Sequence, residues 1–273
     1  MSSSPRRRTA LITGGSRGIG QAIATRLAID HDLVIGYRTR SDTAEETAAT
    51  CRSLGAQAMI HVCDITDPAS LAQLADVAID RFGRIDSLVT NAATGLHWPI
   101  SVSGWQQVHD AVQVIAGSLA ELVSRLAPHM EQGGRIVAIS GLDSRLAVAD
   151  HGLIGAGKAA IEAMIRNLAM ELGPRGITAN AVIPGATRTE SLERALERKP
   201  GSEQPLIDCI PAGRLATPAD VAHVVAFLCS AGAAYVNGTS ILVDGGFSAG
   251  NFWTRHQRTS LEKGGWSARP LGQ

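Results

Sequence analysis

The chain has 273 residues, 45% of them hydrophobic and 18% charged, with 25 basic side chains against 25 acidic ones. That balance excludes a strongly basic nucleic-acid binder and an acidic disordered tail, and 29 glycines against 11 prolines point to tight turns rather than disorder. In chain order, β-rich runs fall at Ala10–Thr13, Leu33–Tyr37, Ala58–Val62, Ser87–Thr90, Arg135–Ser140, Thr178–Ile183 and Ser240–Val243. Amphipathic helical patterns separate them at Gly20–Ile29, Thr43–Leu54, Ser70–Phe82, Trp105–Met130, Gly152–Leu172 and Pro218–Ser230. Thr66-Asp67-Pro68 and Thr217-Pro218 are helix starts; Gly55, Gly83 and Gly173-Pro174 are helix stops. Seven strands joined by crossover helices predict one α/β domain, a Rossmann-type doubly wound parallel sheet.

The cysteines, Cys51, Cys63, Cys209 and Cys229, form no CxxC pair, so neither a zinc site nor a disulfide framework is expected. Arg6-Arg7-Arg8 precedes only a three-residue apolar run, too short for an export signal, and no stretch reaches a membrane span. A cytoplasmic protein is expected. Two residue types are scarce: lysine occurs only at 158, 199 and 263, and tyrosine only at 37 and 235.

The first strand runs into Thr13-Gly14-Gly15-Ser16-Arg17-Gly18-Ile19-Gly20 and then a helix. Glycines at 14, 18 and 20 let the backbone turn tightly and bring phosphates to free N–H groups at a helix N-terminus. About twenty residues on, Gly36-Tyr37-Arg38 ends the second strand, where an NAD enzyme places a ribose-binding carboxylate. Arg38 and Arg17 instead offer two cations to a 2′-phosphate, which favours NADPH. As a solvated loop cation, Arg38 would leave that preference open.

Together these motifs resemble the short-chain dehydrogenase/reductase family over about residues 8 to 247. The glycine loop is similar to its TGxxxGxG. Asp64, in Cys63-Asp64-Ile65-Thr66, matches its adenine-binding acid, and Asn91-Ala92-Ala93 its NAG-type turn. Pro184-Gly185 with Thr187 and Thr189 matches the segment that holds the nicotinamide end. Gly213-Arg214, Pro218 and Val243-Asp244-Gly245-Gly246 match the C-terminal half. The resemblance implies an NAD(P)-binding domain over 1–247, with an extension over 248–273.

The family's catalytic set is a Ser, then a Tyr and a Lys four residues apart, with a helical Asn. Lys158 stands at the Lys position, yet Ile154 occupies the Tyr position and Gly141 the Ser position, one place after Ser140. The Asn should fall near Val112 or Gln113. The stretch from Ile139 to Lys158 is more similar to the divergent enoyl-acyl-carrier-protein reductase III type, which places its Tyr seven residues before the Lys. His151 occupies that position, and the stretch keeps the subgroup's Ser-to-Tyr-to-Lys spacing with no gap. Seven residues turn about 700°, so His151 and Lys158 share one helix face roughly 10 Å apart along the axis. Histidine can hydrogen-bond an oxyanion or donate a proton near neutral pH. Alternatively it is a helix-start surface residue, with Asp150 as the cap. Asp143, Ser144 and Ser140 are further polar candidates.

The segment 186–211 stands at the family's substrate loop and interleaves Arg188, Arg194, Arg198 and Lys199 with Glu190, Glu193 and Glu197. It reads either as a cationic rim for coenzyme A or an acyl carrier, or as a solvated helix with a Glu190–Arg194 pair. Trp98 and His97 are pocket candidates. The extension, with Phe252, Trp253 and Trp266, is expected across a subunit interface or over a pocket mouth, with disorder as the alternative. The resemblance implies an NADPH-dependent reductase of an enoyl thioester, in a homodimer or homotetramer. The alternatives are a ketoreductase with a non-Tyr proton donor, or a nucleotide-binding scaffold without redox turnover.

Overall fold

In the computed structural model, residues 6–93 and 98–250 are described. Seven parallel strands form one sheet in the order β3-β2-β1-β4-β5-β6-β7. They are β1 (Arg8–Thr13), β2 (His31–Tyr37), β3 (Ala58–Val62), β4 (Ser87–Thr90), β5 (Arg135–Ile139), β6 (Thr178–Pro184) and β7 (Ser240–Val243). The expected runs match these to within a few residues. β1, β4, β5 and β6 are buried almost throughout, which explains why they read as near-continuous apolar runs rather than as alternating ones.

Helices α1 (Gly18–Leu27), α2 (Ser41–Ser53) and α8 (Pro218–Cys229) cover one face. Helices α3 (Pro68–Phe82), α4 (Trp105–Leu126) and α5 (Gly152–Leu172) cover the other. Each face closes its own apolar core, one around Ile12, Ile23 and Ile35, the other around Leu11, Leu88 and Leu119. The sequence caps the helices as expected. Asp67 accepts from Ala69 N with Pro68 at the first helical position, Gly83 ends α3 at φ 73°, and Thr217 with Asp220 forms a capping box on α8.

Two short helices, α6 (Glu190–Glu197) and α7 (Glu203–Asp208), break up the segment 186–211. Strand order reverses between β1 and β4, whose residues Ala10–Ile12 pair with Ser87–Val89. The crevice beyond the carboxyl ends of those strands is where an open α/β sheet binds ligands. Among the described residues no helix is long and apolar enough to cross a membrane. His97 and the aromatic residues of the extension lie outside the described residues.

Candidate active site

A cleft of about 380 Å³ opens at that switch point. Gly14, Ser16, Arg17, Gly18, Ile19 and Gly20 floor it; Tyr37, Arg38 and Arg40 form one wall, and Asn91, Ala92 and Thr189 another. The loop folds this way because glycine permits it: Gly14 and Gly18 take φ of +67° and +55°, and a Cβ at Gly20 would lie 2.1 Å from the Gly14 carbonyl oxygen. Asn91 stitches β4 to the loop, donating from Nδ2 to the carbonyls of Thr13 and Gly14 at 3.2 and 3.0 Å. Thr13 Oγ1 accepts from the backbone N–H groups of Asn91 and Ala92 in return.

Several other residues expected at this cleft stand differently. Asp64 turns Oδ1 toward the N–H and hydroxyl of Thr66, which hold its carboxyl below the usual range, while its neighbours Cys63 and Ile65 line the cleft. Pro184 ends β6, and buried Thr187 donates to the Gly185 carbonyl at 3.0 Å; of that segment Thr189 reaches the cleft lining. The cationic wall also departs from expectation. Arg17 and Arg40, rather than Arg17 and Arg38, converge on one carboxylate, that of Glu190 at the start of α6, at 2.7 and 2.9 Å. Hydrogen bonds from Arg17 and Arg194, with the charge of Arg40 adding, hold the Glu190 carboxyl down at about 2. Arg38 lines the cleft beside them.

A second, larger cleft of about 1020 Å³ adjoins the first, sharing Arg17, Arg38, Ile65, Ala93 and Ser191. Gln113 and Gly117 of α4 form one side, and Asp143, His151 and Ile154 another. His151 stands just ahead of α5 as its N-cap residue, with its carbonyl accepting from Gly155 N at 2.7 Å. Asp150 is not the cap: it takes φ 62°, a left-handed turn that an Asp tolerates, and reverses the chain into the helix. His151 Nδ1 lies 3.3 Å from Asp143 Oδ2, and its side chain is 35% exposed.

Lys158, on α5, is only 6% exposed, and its Nζ donates to the Ile139 carbonyl at 2.6 Å. Burial pulls its pKa down to about 8, against the opposing charge of Asp143. The α4 turn packed against this part of α5 is Ala111–Ile115, since a Cβ on Gly157 would lie 3.0 Å from the Ile115 side chain. The expected Asn near 112 or 113 is therefore displaced: apolar Ile115 faces the Lys158 turn and Gln113 faces the cleft.

The two serines both engage Glu162. Ser140 is buried, and its hydroxyl donates to Glu162 Oε1 at 2.7 Å; the Ser144 hydroxyl is shared between Glu162 and the Gly141 carbonyl. Arg145 adds two hydrogen bonds to the other Glu162 oxygen. Glu162 thus gathers both hydroxyls, and neither serine is among the residues that border the two clefts.

A family model described as Enoyl-(Acyl carrier protein) reductase matches residues 14–248. The 1-cyclohexenylcarbonyl-CoA reductase of Streptomyces collinus is 35% identical over 246 residues, 89% of this chain and 88% of that one. The 7alpha-hydroxysteroid dehydrogenase of Escherichia coli strain K12 is 34% identical over 239 residues, 87% and 92% of the two chains. A solved short-chain dehydrogenase/reductase from Serratia marcescens BCRC 10948 superposes with a TM-score of 0.83 at 31% identity, covering 90% of this chain and all of that one. The chain belongs to the short-chain dehydrogenase/reductase family. It is an oxidoreductase of that family, which binds a nicotinamide cofactor.

The glycine cradle fits a nicotinamide dinucleotide: side chains at 14, 18 and 20 would fill or strain the floor that a pyrophosphate must approach. Within this short-chain dehydrogenase/reductase, sequence reasoning missed three residues. Arg40 stands two places past the motif position, Glu162 lies one helical turn beyond Lys158, and Gln113 was named only as a failed Asn. A periodicity argument would have found Glu162, because a charged residue four after a buried Lys shares its buried helix face.

Proposed function

We propose that this oxidoreductase uses NADPH to reduce the C=C bond of an enoyl thioester carried on coenzyme A or an acyl carrier protein. The observation that carries the reading is the placement of His151: it opens onto the large cleft beside the nucleotide cleft, while both tyrosines lie elsewhere. Tyr37 lines the nucleotide cleft and Tyr235 is fully exposed. The relative named for reduction of a cyclohexenylcarbonyl-CoA supports the substrate class.

Gly14, Ser16, Gly18, Ile19 and Gly20 hold the pyrophosphate; Arg17, Arg38 and Arg40 receive the 2′-phosphate; Asn91, Ala92 and Thr189 bound the path to the nicotinamide end. Bound there, the reduced nicotinamide supplies a hydride. An enoyl thioester that accepts hydride at its β-carbon shifts its π pair onto the carbonyl oxygen, and the resulting enolate then takes a proton at the α-carbon. His151 donates a hydrogen bond from its cleft-facing nitrogen to that oxygen. Lys158, anchored by the Ile139 carbonyl and charged at neutral pH, would hold the ribose at the nicotinamide end.

A ketoreductase in which His151 protonates an alkoxide is the second reading, favoured by the hydroxysteroid dehydrogenase relative. The discriminating experiment follows NADPH consumption with a panel of cyclic and linear enoyl-CoAs and a panel of ketones. Turnover of enoyl-CoAs to saturated acyl-CoAs supports the first reading. Turnover of ketones alone moves the protein to the second, and no turnover despite NADPH binding removes both.

A further inference from the structure

Gly141, at the serine position of the family's usual pattern, and His151, at the tyrosine position of the divergent subgroup, meet at one side chain. A Cβ on Gly141 would lie 2.4 Å from Asp143 Oδ1, with the Asp143 carboxyl carbon 3.5 Å away. The carboxylate therefore sits over the bare Cα of residue 141, in space that any side chain there would claim. Its other oxygen, Oδ2, faces His151 Nδ1 at 3.3 Å. The backbone of Asp143 is fixed as closely: a Cβ on Gly155 would lie 2.2 Å from the Asp143 carbonyl oxygen, so α5 approaches the 3-10 turn only because residue 155 is glycine. The Asp143 side chain is 12% exposed, so the pair is partly screened from water.

We infer that Asp143 is a positioning residue for His151, and that Gly141, Asp143 and His151 form one unit standing in for the family's Ser–Tyr pair. This rests on the reading of His151 as the group that meets the substrate oxygen. With Nδ1 held toward the carboxylate, the proton of the neutral imidazole sits on Nδ1, and the ring borders the cleft, where the imidazolium form would present its other N–H to the developing oxyanion. The proton that leaves the imidazole for the substrate is replaced from solvent through the cleft. Other charged groups bear on the same imidazole: His109, Asp110 and Glu121 of α4 and Arg17 and Arg38 at the nucleotide edge line its cleft, and Lys158 is coupled to Asp143.

The test uses the full-length protein in two measurements. The first is the NMR titration of 15N-labelled histidine, with the His151 signal assigned by His151→Gln. In the wild type, His151 is expected in the Nδ1–H tautomer at high pH, and Asp143→Asn should shift the 15N signals toward the mixed tautomer population of a free imidazole. Gly141→Ala, which drives a Cβ into the carboxylate, should shift them the same way. The second is the pH profile of NADPH-dependent enoyl-CoA reduction. Asp143→Asn should lower kcat at least tenfold with KM within about twofold, change the shape of the profile, and leave NADPH binding intact. An His151 tautomer population identical in the wild type and Asp143→Asn would overturn the proposal whatever the enzyme reduces. A changed tautomer population without enoyl-CoA turnover would keep the pair and remove the reductase reading instead.

Discussion

Lys158 Nζ donates a 2.6 Å hydrogen bond to the carbonyl of Ile139, the last residue of β5, from a side chain that is almost fully buried. One charge thus ties the α5 helix to the strand end beside the candidate site. Folding takes this ammonium out of water, and its pKa falls to about 8 from an ordinary 10.5. Between those values the unfolded chain holds more protons than the folded one, so raising the pH through that window adds stability. The gain from this group is on the order of 3 kcal/mol, absent below pH 8 and complete above about 10.5. Thermal denaturation of wild type and Lys158→Met at pH 7 to 10 checks it: the variant should start out at least as stable and lose that lead as the pH rises. NADPH-dependent turnover by the variant should fall by at least about a hundredfold.

Glu190 bridges Arg17 and Arg40 across the mouth of the nucleotide cleft. A 2′-phosphate seeks the same guanidinium groups, so the carboxylate and the phosphate compete. Glu190→Gln should tighten NADPH binding about two- to fivefold, the range set by exposed ion pairs, and leave NADH binding nearly unchanged. Arg40→Ala should weaken NADPH binding by about tenfold, as expected for the loss of a charge-assisted hydrogen bond, again with little effect on NADH. Isothermal titration with both nucleotides reads all four numbers.

The fold was legible in the sequence because every signal pointed the same way. Buried runs such as Ala10–Thr13, the Asp67–Pro68 cap and Gly83 each carry local physics that the tertiary structure had no reason to override. The glycine loop was legible for the same reason. The site was less so, because its contacts join residues far apart in the chain. Nothing local to Ser140 tells that its hydroxyl turns to Glu162, twenty-two residues on, nor that Arg40 shares a carboxylate with Arg17. His151 was found by its spacing to Lys158, but its Asp143 partner emerged only once the turn Leu142–Ser144 folded the carboxylate over Gly141.

Glu162 is 7% exposed in its side chain and accepts from Ser140, Ser144 and Arg145. Burial raises its pKa, but the donors outweigh burial and hold the carboxyl below its ordinary value. Its stabilisation is therefore present above about pH 4.5 and is lost as the pH falls through the lower folded value. Glu162→Ala leaves the buried Ser140 hydroxyl without its acceptor, while Ser144 keeps the Gly141 carbonyl and the part-exposed Arg145 regains water. The expected cost is about 3 kcal/mol, measured by urea unfolding at pH 7. Glu162→Gln should flatten the fall in stability between pH 5 and 3.

Gly20 lies in the first turn of α1, where a Cβ would lie 2.1 Å from the Gly14 carbonyl oxygen and 2.6 Å from Asn91 Nδ2. Both neighbours are fixed, one by backbone and one by two hydrogen bonds. Gly20→Ala must therefore displace the loop, and nucleotide affinity should drop by at least about tenfold with the far-UV circular dichroism of the fold retained.

The most direct test of the enoyl-reductase reading is the position of the transferred hydride. NADPH carrying deuterium at C4 of the nicotinamide is turned over with an enoyl-CoA, and the acyl product is examined by mass spectrometry and NMR. The account predicts a saturated acyl-CoA with one deuterium at the β-carbon and a proton from solvent at the α-carbon, formed far more slowly by His151→Ala. Deuterium on a carbinol carbon with the C=C bond intact, or full-rate label transfer by His151→Ala, would contradict it.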